Sequence, residues 1–401
     1  MAGRPPTPCP PSGSPGTLLD LIRTGHVATR ADLVDVTGLA RSTVSQRVDV
    51  LISEGYILEA GEARSTGGRP PTTLAFNADR GVVLAADIGA THSRFAVCDL
   101  NSDPVAEMAV DLPVSDGPDA VLAVAESSFD TLLASLSNPP ASIAGIGVGV
   151  PGPVDFTAGR AVHPPIMFGW HDYPIRDRFS ERYGVTTLVD NDVNIMALGE
   201  YWSIGRSVHD LLFVKVGTGI GSGLILGGHL HRGARGAAGD IGHIQAGATD
   251  VVCRCGNSGC LEASAGGGAL ANQLAAMGYD TANSRDVVDL VETGNADAVR
   301  LLREAGRLIG EALSSVVNLL NPELVVIGGD LAHPGQTLVA AVREVVYTRS
   351  LPLSTTDLRI QESPLGDRAG VIGAAALVLD HVLHPEAVDA SISKQMDTVS
   401  A

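Results

Sequence analysis

The chain is short of positive charge. Its 401 residues carry 27 lysines and arginines against 45 aspartates and glutamates, a formal net charge of −18. That balance excludes general attraction of the whole molecule to nucleic acid, so any such contact has to be local. Lysine is nearly missing: Lys215 and Lys394 are the only two. There is no run of 18 or more apolar residues, so no membrane span is expected. The N-terminus lacks the charged-then-apolar pattern of a secretion signal. Pro5, Pro6, Pro8, Pro10, Pro11 and Pro15 stand there instead and read as a disordered leader over residues 1–16. Cysteine is also scarce, five in all, with Cys9 and Cys98 isolated and three clustered. This usage suits a reducing, cytoplasmic setting. What is abundant is apolar residues, 45% of the chain, enough for two or three globular domains.

The clustered cysteines lie in the stretch Gly239-Asp240-Ile241-Gly242-His243 and Cys253-Arg254-Cys255-Gly256-Asn257-Ser258-Gly259-Cys260-Leu261-Glu262. His243, Cys253, Cys255 and Cys260 offer one imidazole and three sulfurs, the ligand set of a closed tetrahedral zinc site. Four protein ligands leave no open position, so a zinc ion here is expected to be structural. Its binding would contribute folding energy on the order of 10 kcal/mol. The alternative is a reduced cysteine loop without metal.

Residues 17–77 read as a separate unit. Thr17 to Ile22 begins an amphipathic helix. Thr29 N-caps a second, short helix. Thr37-Gly38-Leu39 turns the chain into a third helix from about Ser42 to Glu54. A short helix, a glycine turn and a longer helix form the pattern of a helix-turn-helix. In the third helix Val44, Val48, Leu51 and Ile52 share a face and are expected inside. Thr43, Gln46, Arg47 and Val50 then point outward. Such a face suits a DNA major groove, and it equally suits ordinary solvent. Two strands follow, Gly55–Glu59 and Thr72–Phe76, joined by Arg64-Ser65-Thr66-Gly67-Gly68-Arg69-Pro70. Arg64 and Arg69 on a flexible wing can enter a narrow minor groove. The unit therefore reads as a winged helix-turn-helix. It holds six arginines against seven acids, so a few placed arginines and dimerisation have to supply affinity for double-stranded DNA.

From Gly81 strands and helices alternate. Asp87-Ile88-Gly89-Ala90-Thr91 closes an apolar strand with an acidic glycine turn, a weak signal alone. Gly217-Thr218-Gly219-Ile220-Gly221 and Ile327-Gly328-Gly329 are two further glycine turns after strands. Asp192, in Asp190-Asn191-Asp192-Val193-Asn194, can be a general base or merely a first-turn helix acid.

Together with Gly147-Val148-Gly149-Val150-Pro151-Gly152-Pro153-Val154-Asp155 and the cysteine stretch, these segments resemble the ROK family of repressors, open reading frames and sugar kinases. The resemblance covers roughly residues 80–375 and keeps the family's motif order. It implies an α/β, actin-like (ribonuclease-H-like), two-lobed fold behind the winged helix-turn-helix. The lobes are expected over residues 78–195, completed by a helix near 370–384, and 196–369, with a flexible tail over 385–401. The resemblance places sugar contacts on Asn191, Asp192, Asp240, His243 and Glu262. Asp240 stands where the family usually has glutamate. It places nucleotide contacts on Asp87, Gly89, Thr91, Gly217, Thr218, Gly219, Gly328 and Gly329, if these are retained.

Two functions fit. One is a transcriptional repressor of carbohydrate genes that binds a palindromic operator as a dimer or tetramer and answers to a sugar or sugar-phosphate. The other is a sugar kinase using ATP and Mg2+, with Asp192 as catalytic base. The head favours the repressor, because family kinases usually lack one. Ala90 and His92 also depart from the kinases' common glycine turn, and the methyl of Ala90 can crowd a phosphate. A scaffold role leaves the carboxylates, His243 and the head unexplained.

Overall fold

The computed structural model describes residues 13–62, 72–246 and 250–399. The chain opens with three helices, α1 (Pro15–Arg23), α2 (Arg30–Thr37) and α3 (Arg41–Ser53), and a hairpin, β1 (Ile57–Glu62) and β2 (Thr72–Phe76). Local chemistry sets these ends. The Ser14 hydroxyl accepts from the Thr17 N–H, and that of Thr29 from the Asp32 N–H. Gly38, at φ 69°, supplies the left-handed residue that ends α2. Val44, Val48 and Leu51 of α3 are buried in one cluster with Leu18, Leu19 and Leu33. Val50, expected outside, is partly buried against the same cluster. An isolated antiparallel bridge from Thr29 to Thr73 ties the start of α2 to the hairpin. This is an α+β winged-helix unit. The arginine-bearing tip of the wing, with Arg64 and Arg69, lies outside the described residues.

The first lobe contains β3 (Val82–Ile88), β4 (His92–Cys98), β5 (Pro104–Asp111), α4 (Pro118–Ser135), β6 (Ile143–Val150), a small hairpin of β7 (Val154–Asp155) and β8 (Arg160–Ala161), α5 (Ile175–Tyr183) and β9 (Thr187–Asn191). Its sheet runs β5-β4-β3-β6-β9: a three-stranded antiparallel meander, then two parallel strands. Helix α6 (Asp192–Ser203) leads to the second lobe. That lobe holds β10 (Leu211–Val216), β11 (Ile220–Leu226), β12 (His229–Leu230), α7 (Leu261–Ala265), α8 (Gly267–Ala276), α9 (Ser284–Glu292), α10 (Ala296–Leu320), β13 (Leu324–Gly328), α11 (Thr337–Arg349), α12 (Pro352–Thr355) and β14 (Arg359–Glu362). Its sheet, β12-β11-β10-β13-β14, repeats the same plan. Two copies of one sheet topology facing a cleft make the actin-like fold.

Helix α13 (Ala369–Val382) packs on β3 and β6 of the first sheet, while α6 packs on β10 and β11 of the second. The two helices also pack on each other, with no room for side chains where they cross. A Cβ on Gly199 would overlap the Ala369 carbonyl, and one on Gly373 the Ile195 carbonyl. Among the described residues no single helix is long and apolar enough to cross a membrane. The apolar run of α13 is core, buried from Ala369 to Leu379.

Both ends of the chain differ from the expectation. Helix α1 starts at Pro15, inside the segment expected to be a leader, whose residues 1–12 lie outside those described. The supposed flexible tail is helix α14 (Pro385–Val399), which packs on α1 of the head. Val388 and Ile392 are buried in the cluster that holds Leu18 and Leu19, and Asp389 Oδ1 accepts from the Gly16 N–H at 2.7 Å. Two apolar residues one helical turn apart are too faint a stripe to notice among polar neighbours.

The helix crossing predicts a steep cost for volume. Gly373→Ala is expected to destabilise the body by about 3 kcal/mol or more, because carbonyls cannot swing aside as side chains can. Urea unfolding measures it, and a loss under 1 kcal/mol would mean the crossing relaxes.

Candidate functional site

The cleft between the lobes is a cavity of about 410 Å³. Its walls come from equivalent pieces of the two sheets. The turn between β3 and β4 brings Asp87, Gly89, Thr91 and His92; the turn between β10 and β11 brings Lys215, Gly217, Thr218 and Gly219. The end of β9 and start of α6 bring Asn191 and Asp192, and Asp240, His243, Glu262, Gly329 and Asp330 complete the lining. Of the residues expected at sugar or nucleotide, only Gly328 is not in the wall. It is the buried last residue of β13, where a Cβ would press on Phe213.

Each polar side chain is held by a specific partner. Asn191 is largely committed: Oδ1 caps α6 by accepting from the Val193 and Asn194 N–H groups, and Nδ2 donates to the Gly152 carbonyl at 2.9 Å. Beneath it, Asp190 accepts from Asn194 Nδ2 at 2.9 Å and pairs with Arg232 Nε at 2.7 Å. That pair ties the loop approaching Asp240 to the floor of the cleft. Glu262 Oε2 accepts from the Ile220 N–H at 3.0 Å, tucked where a side chain on Gly219 would overlap it. Asp240 is exposed at the rim.

Asp192 is nearly buried, and its Oδ2 pairs with Lys215 Nζ at 2.7 Å. Burial opposes the charge on Lys215, but Asp192, Asp87 and Asp330 outweigh it and raise the ammonium pKa. Asp87 shows the reverse. Its Oδ1 is buried without a hydrogen-bond partner, and burial pushes its pKa up to about 6 despite Lys215. Burial likewise lowers the pKa of His92, against the pull of Asp330. The sequence reading missed Lys215 as a site residue. A lone lysine in the apolar strand Phe213-Val214-Lys215-Val216 was the available signal.

Beside the cleft, His243, Cys253, Cys255 and Cys260 come together, with all ligand atoms within 4.8 Å of one another. Cys253 Sγ lies 3.7 Å from His243 Nδ1, and Cys255 Sγ lies 3.6 Å from Cys260 Sγ. Metal–ligand bonds of about 2.0–2.3 Å in a tetrahedron put the ligands about 3.3–3.8 Å apart, so this donor set fits a closed metal centre. The Asn257 backbone N–H lowers the Cys255 thiol to about 7, while burial pushes the neighbouring Cys260 thiol up to about 12; a bound metal would hold both as thiolates. His243 joins both places: Nδ1 faces the sulfurs, and the side chain also lines the cleft.

On the head, Gln46 is exposed and Thr43 half-buried on α3. Arg47 leans against Gly13 with Nη1 buried, so it is less outward than its helical position suggests. Arg41 and Ser42, exposed at the start of α3, were not singled out from sequence. The first turn of a recognition helix is where base contacts concentrate.

The model of the ROK family matches residues 83–381. The xylose repressor of Caldicellulosiruptor bescii is 29% identical over 381 residues, covering 91% of this chain and 95% of the repressor. A solved ROK family transcriptional regulator, a homolog of the Escherichia coli MLC protein, superposes with a TM-score of 0.79 at 24% identity, over 95% of this chain and 98% of that one. The ROK glucokinase of Streptomyces griseus, solved with glucose and AMPPNP, matches at TM-score 0.65 and 27% identity, over 74% of this chain and 99% of the kinase.

The raised pKa of Asp87 predicts a pH signature. The acid titrates near 3.8 in a free chain and near 6 in the fold. Between those values the native state holds the extra proton, so stability falls as pH rises through that window and stays reduced above it. Asp87→Asn is therefore expected to raise the melting temperature at pH 7.5 and to raise it much less at pH 4.5. Equal gains at both pH values would show that burial of the charge is not the cause.

Proposed function

The chain belongs to the ROK family, and from that premise we propose that it is a cytoplasmic, sugar-responsive transcriptional repressor of carbohydrate genes rather than an enzyme. The observation that carries this is the reach of the similarity. Repressors and a regulator align along nearly the whole chain, head included, whereas the glucokinase alignment spans 74% of it.

In this reading residues 17–77 form the DNA-binding domain and residues 78–195 and 196–369 the two lobes. Two heads of a dimer, or of a tetramer, meet the half-sites of a palindromic operator. Gln46, Thr43 and the exposed start of α3 read base edges, Arg47 contributes from the helix side, and Arg64 and Arg69 use the minor groove. A sugar or sugar-phosphate enters the cleft. Asp192, Asp240 and Glu262 accept from its hydroxyls, while the free ring N–H of His243 and the remaining N–H of Asn191 donate. The cysteine cluster holds structural zinc, which fixes the His243 ring and thus one wall of the pocket.

Closure of the cleft moves α6, whose first residue is Asp192, against α13. Helix α13 continues through a short break into α14, and α14 holds α1 of the head. A sugar that prefers the closed lobes changes the freedom of the head by its difference in affinity between the two states. Coupling of about 1–3 kcal/mol is the expected scale.

The test is a gel shift on DNA upstream of the gene that encodes this chain, repeated with a panel of sugars and sugar-phosphates. One effector is expected to change operator affinity about 5- to 150-fold; no response to any would defeat the model. Gln46→Ala is expected to cost about 1–3 kcal/mol on the operator and little on random DNA. Cys255→Ser is expected to lose zinc and blunt the sugar response. A folded, zinc-free variant with a normal response would reject the role given to zinc. ATP consumption with the same sugars separates the kinase alternative.

A further inference from the structure

The two lobes repeat one sheet plan, so positions can be matched between them. Asp87 is the next-to-last residue of β3, before the turn Gly89–Thr91. Lys215 is the next-to-last residue of β10, before the turn Gly217–Gly219. Each has a glycine beside it on the neighbouring parallel strand, Gly149 for Asp87 and Gly328 for Lys215. The duplicated fold thus aims an acid and a base into the cleft from corresponding points. Lys215 Nζ ends 2.7 Å from Asp192 Oδ2, and Asp87 and Asp330, which line the same cleft, also stabilise its charge.

This arrangement does not fit a nucleotide with its divalent cation. Carboxylates converging at a phosphate turn are the groups that hold such a cation. Here an ammonium fixed to the chain already sits among them. A metal ion placed beside it would meet like charge in a partly buried site. The carboxylate that a kinase would use as its base is itself in the ion pair, so a sugar hydroxyl proton has to compete with Lys215 for Asp192.

We propose that Lys215 is a built-in counter-ion that takes the place of the divalent cation, so that the cleft binds its polyhydroxylated ligand without metal or nucleotide. The sugar receptor is then a cleft whose clustered carboxylates already have a cation from the chain itself. This deepens the repressor reading and rests on it for its biological sense, but metal uptake, which decides it, does not depend on DNA binding.

Manganese is the probe, followed by electron paramagnetic resonance on zinc-replete, full-length protein. The wild type is expected to bind no Mn2+ in the cleft at millimolar concentration, with or without ATP. Lys215→Thr opens the carboxylate group and is expected to take up one Mn2+ at concentrations at least 10-fold below those at which the wild type takes up none. Lys215→Arg keeps the charge and is expected to behave as wild type. Asp87→Asn added to Lys215→Thr is expected to abolish the gain. Uncompensated acids can unfold Lys215→Thr, in which case Mn2+ is expected to restore its thermal transition. One wild-type Mn2+ that disappears in Asp87→Asn would overturn the proposal. So would a Lys215→Thr protein that Mn2+ neither binds nor restores. A gel shift on the same wild-type preparation keeps the two readings apart: loss of operator binding sinks the repressor, and cleft manganese sinks only the counter-ion.

Discussion

Everything in the body depends on two helices being allowed to touch backbone to backbone. Helix α6 belongs to the second sheet by its packing and α13 to the first, so their contact joins the lobes. Glycine is required on both sides of it, Gly199 on one helix and Gly373 on the other, and Gly147 of β6 lets α13 lie equally close to its sheet. Close-packed interiors transmit displacement because they have no slack to absorb it. The same crossing fixes where the chemistry sits. Helix α6 begins at Asp192, so the depth at which α6 meets α13 sets the position of that carboxylate in the cleft.

The charges in the cleft follow from the duplicated sheets. Each lobe contributes a strand, a glycine turn and a charged residue just before the turn. The signs are opposite, and the net effect is an acid-rich pocket with one ammonium among its carboxylates, beside the guanidinium groups of Arg94 and Arg285. Asp87 is the member left least satisfied, with a buried oxygen lacking a donor. A charge left uncompensated costs folding stability, which is a usual mark of a position kept for binding rather than for the core.

Much of this was readable from the sequence, because motifs with fixed backbone demands announce themselves. Thr29 as a cap, Gly38 as a helix stop and the glycine turns near the cleft are local statements, and local chemistry decides them. The four residues of the candidate metal cluster were legible because the donor atoms are specific and close in sequence. Features that depend on distant partners were not legible. Lys215 pairs with Asp192 only because β10 lies under α6. Asn191 reads as a ligand contact until its carbonyl oxygen is found capping α6. The tail reads as frayed because Val388 and Ile392 have value only when α1 lies against them.

That last contact has a size that bears on regulation. Among the described residues, the junction of α14 with α1 includes two buried aliphatic side chains and the hydrogen bond from Gly16 to Asp389. Burying one such side chain contributes about 1.5–3 kcal/mol, and a hydrogen bond to a charged group a similar amount. The ordering of a terminal helix works against that sum. A much larger junction would hold the head in one place whatever the cleft contained, and a much smaller one would leave it uninformed. Arg23 strengthens the link from the other side, since its guanidinium lies 5.4 Å from the Trp202 ring centre, and Trp202 belongs to α6. Helix α6 therefore reaches the head by a direct contact as well as through α13 and α14. On the repressor reading, a shift of α6 on sugar binding moves both attachments of α1 at once, which is the condition for a small displacement in the cleft to reorient the recognition helix.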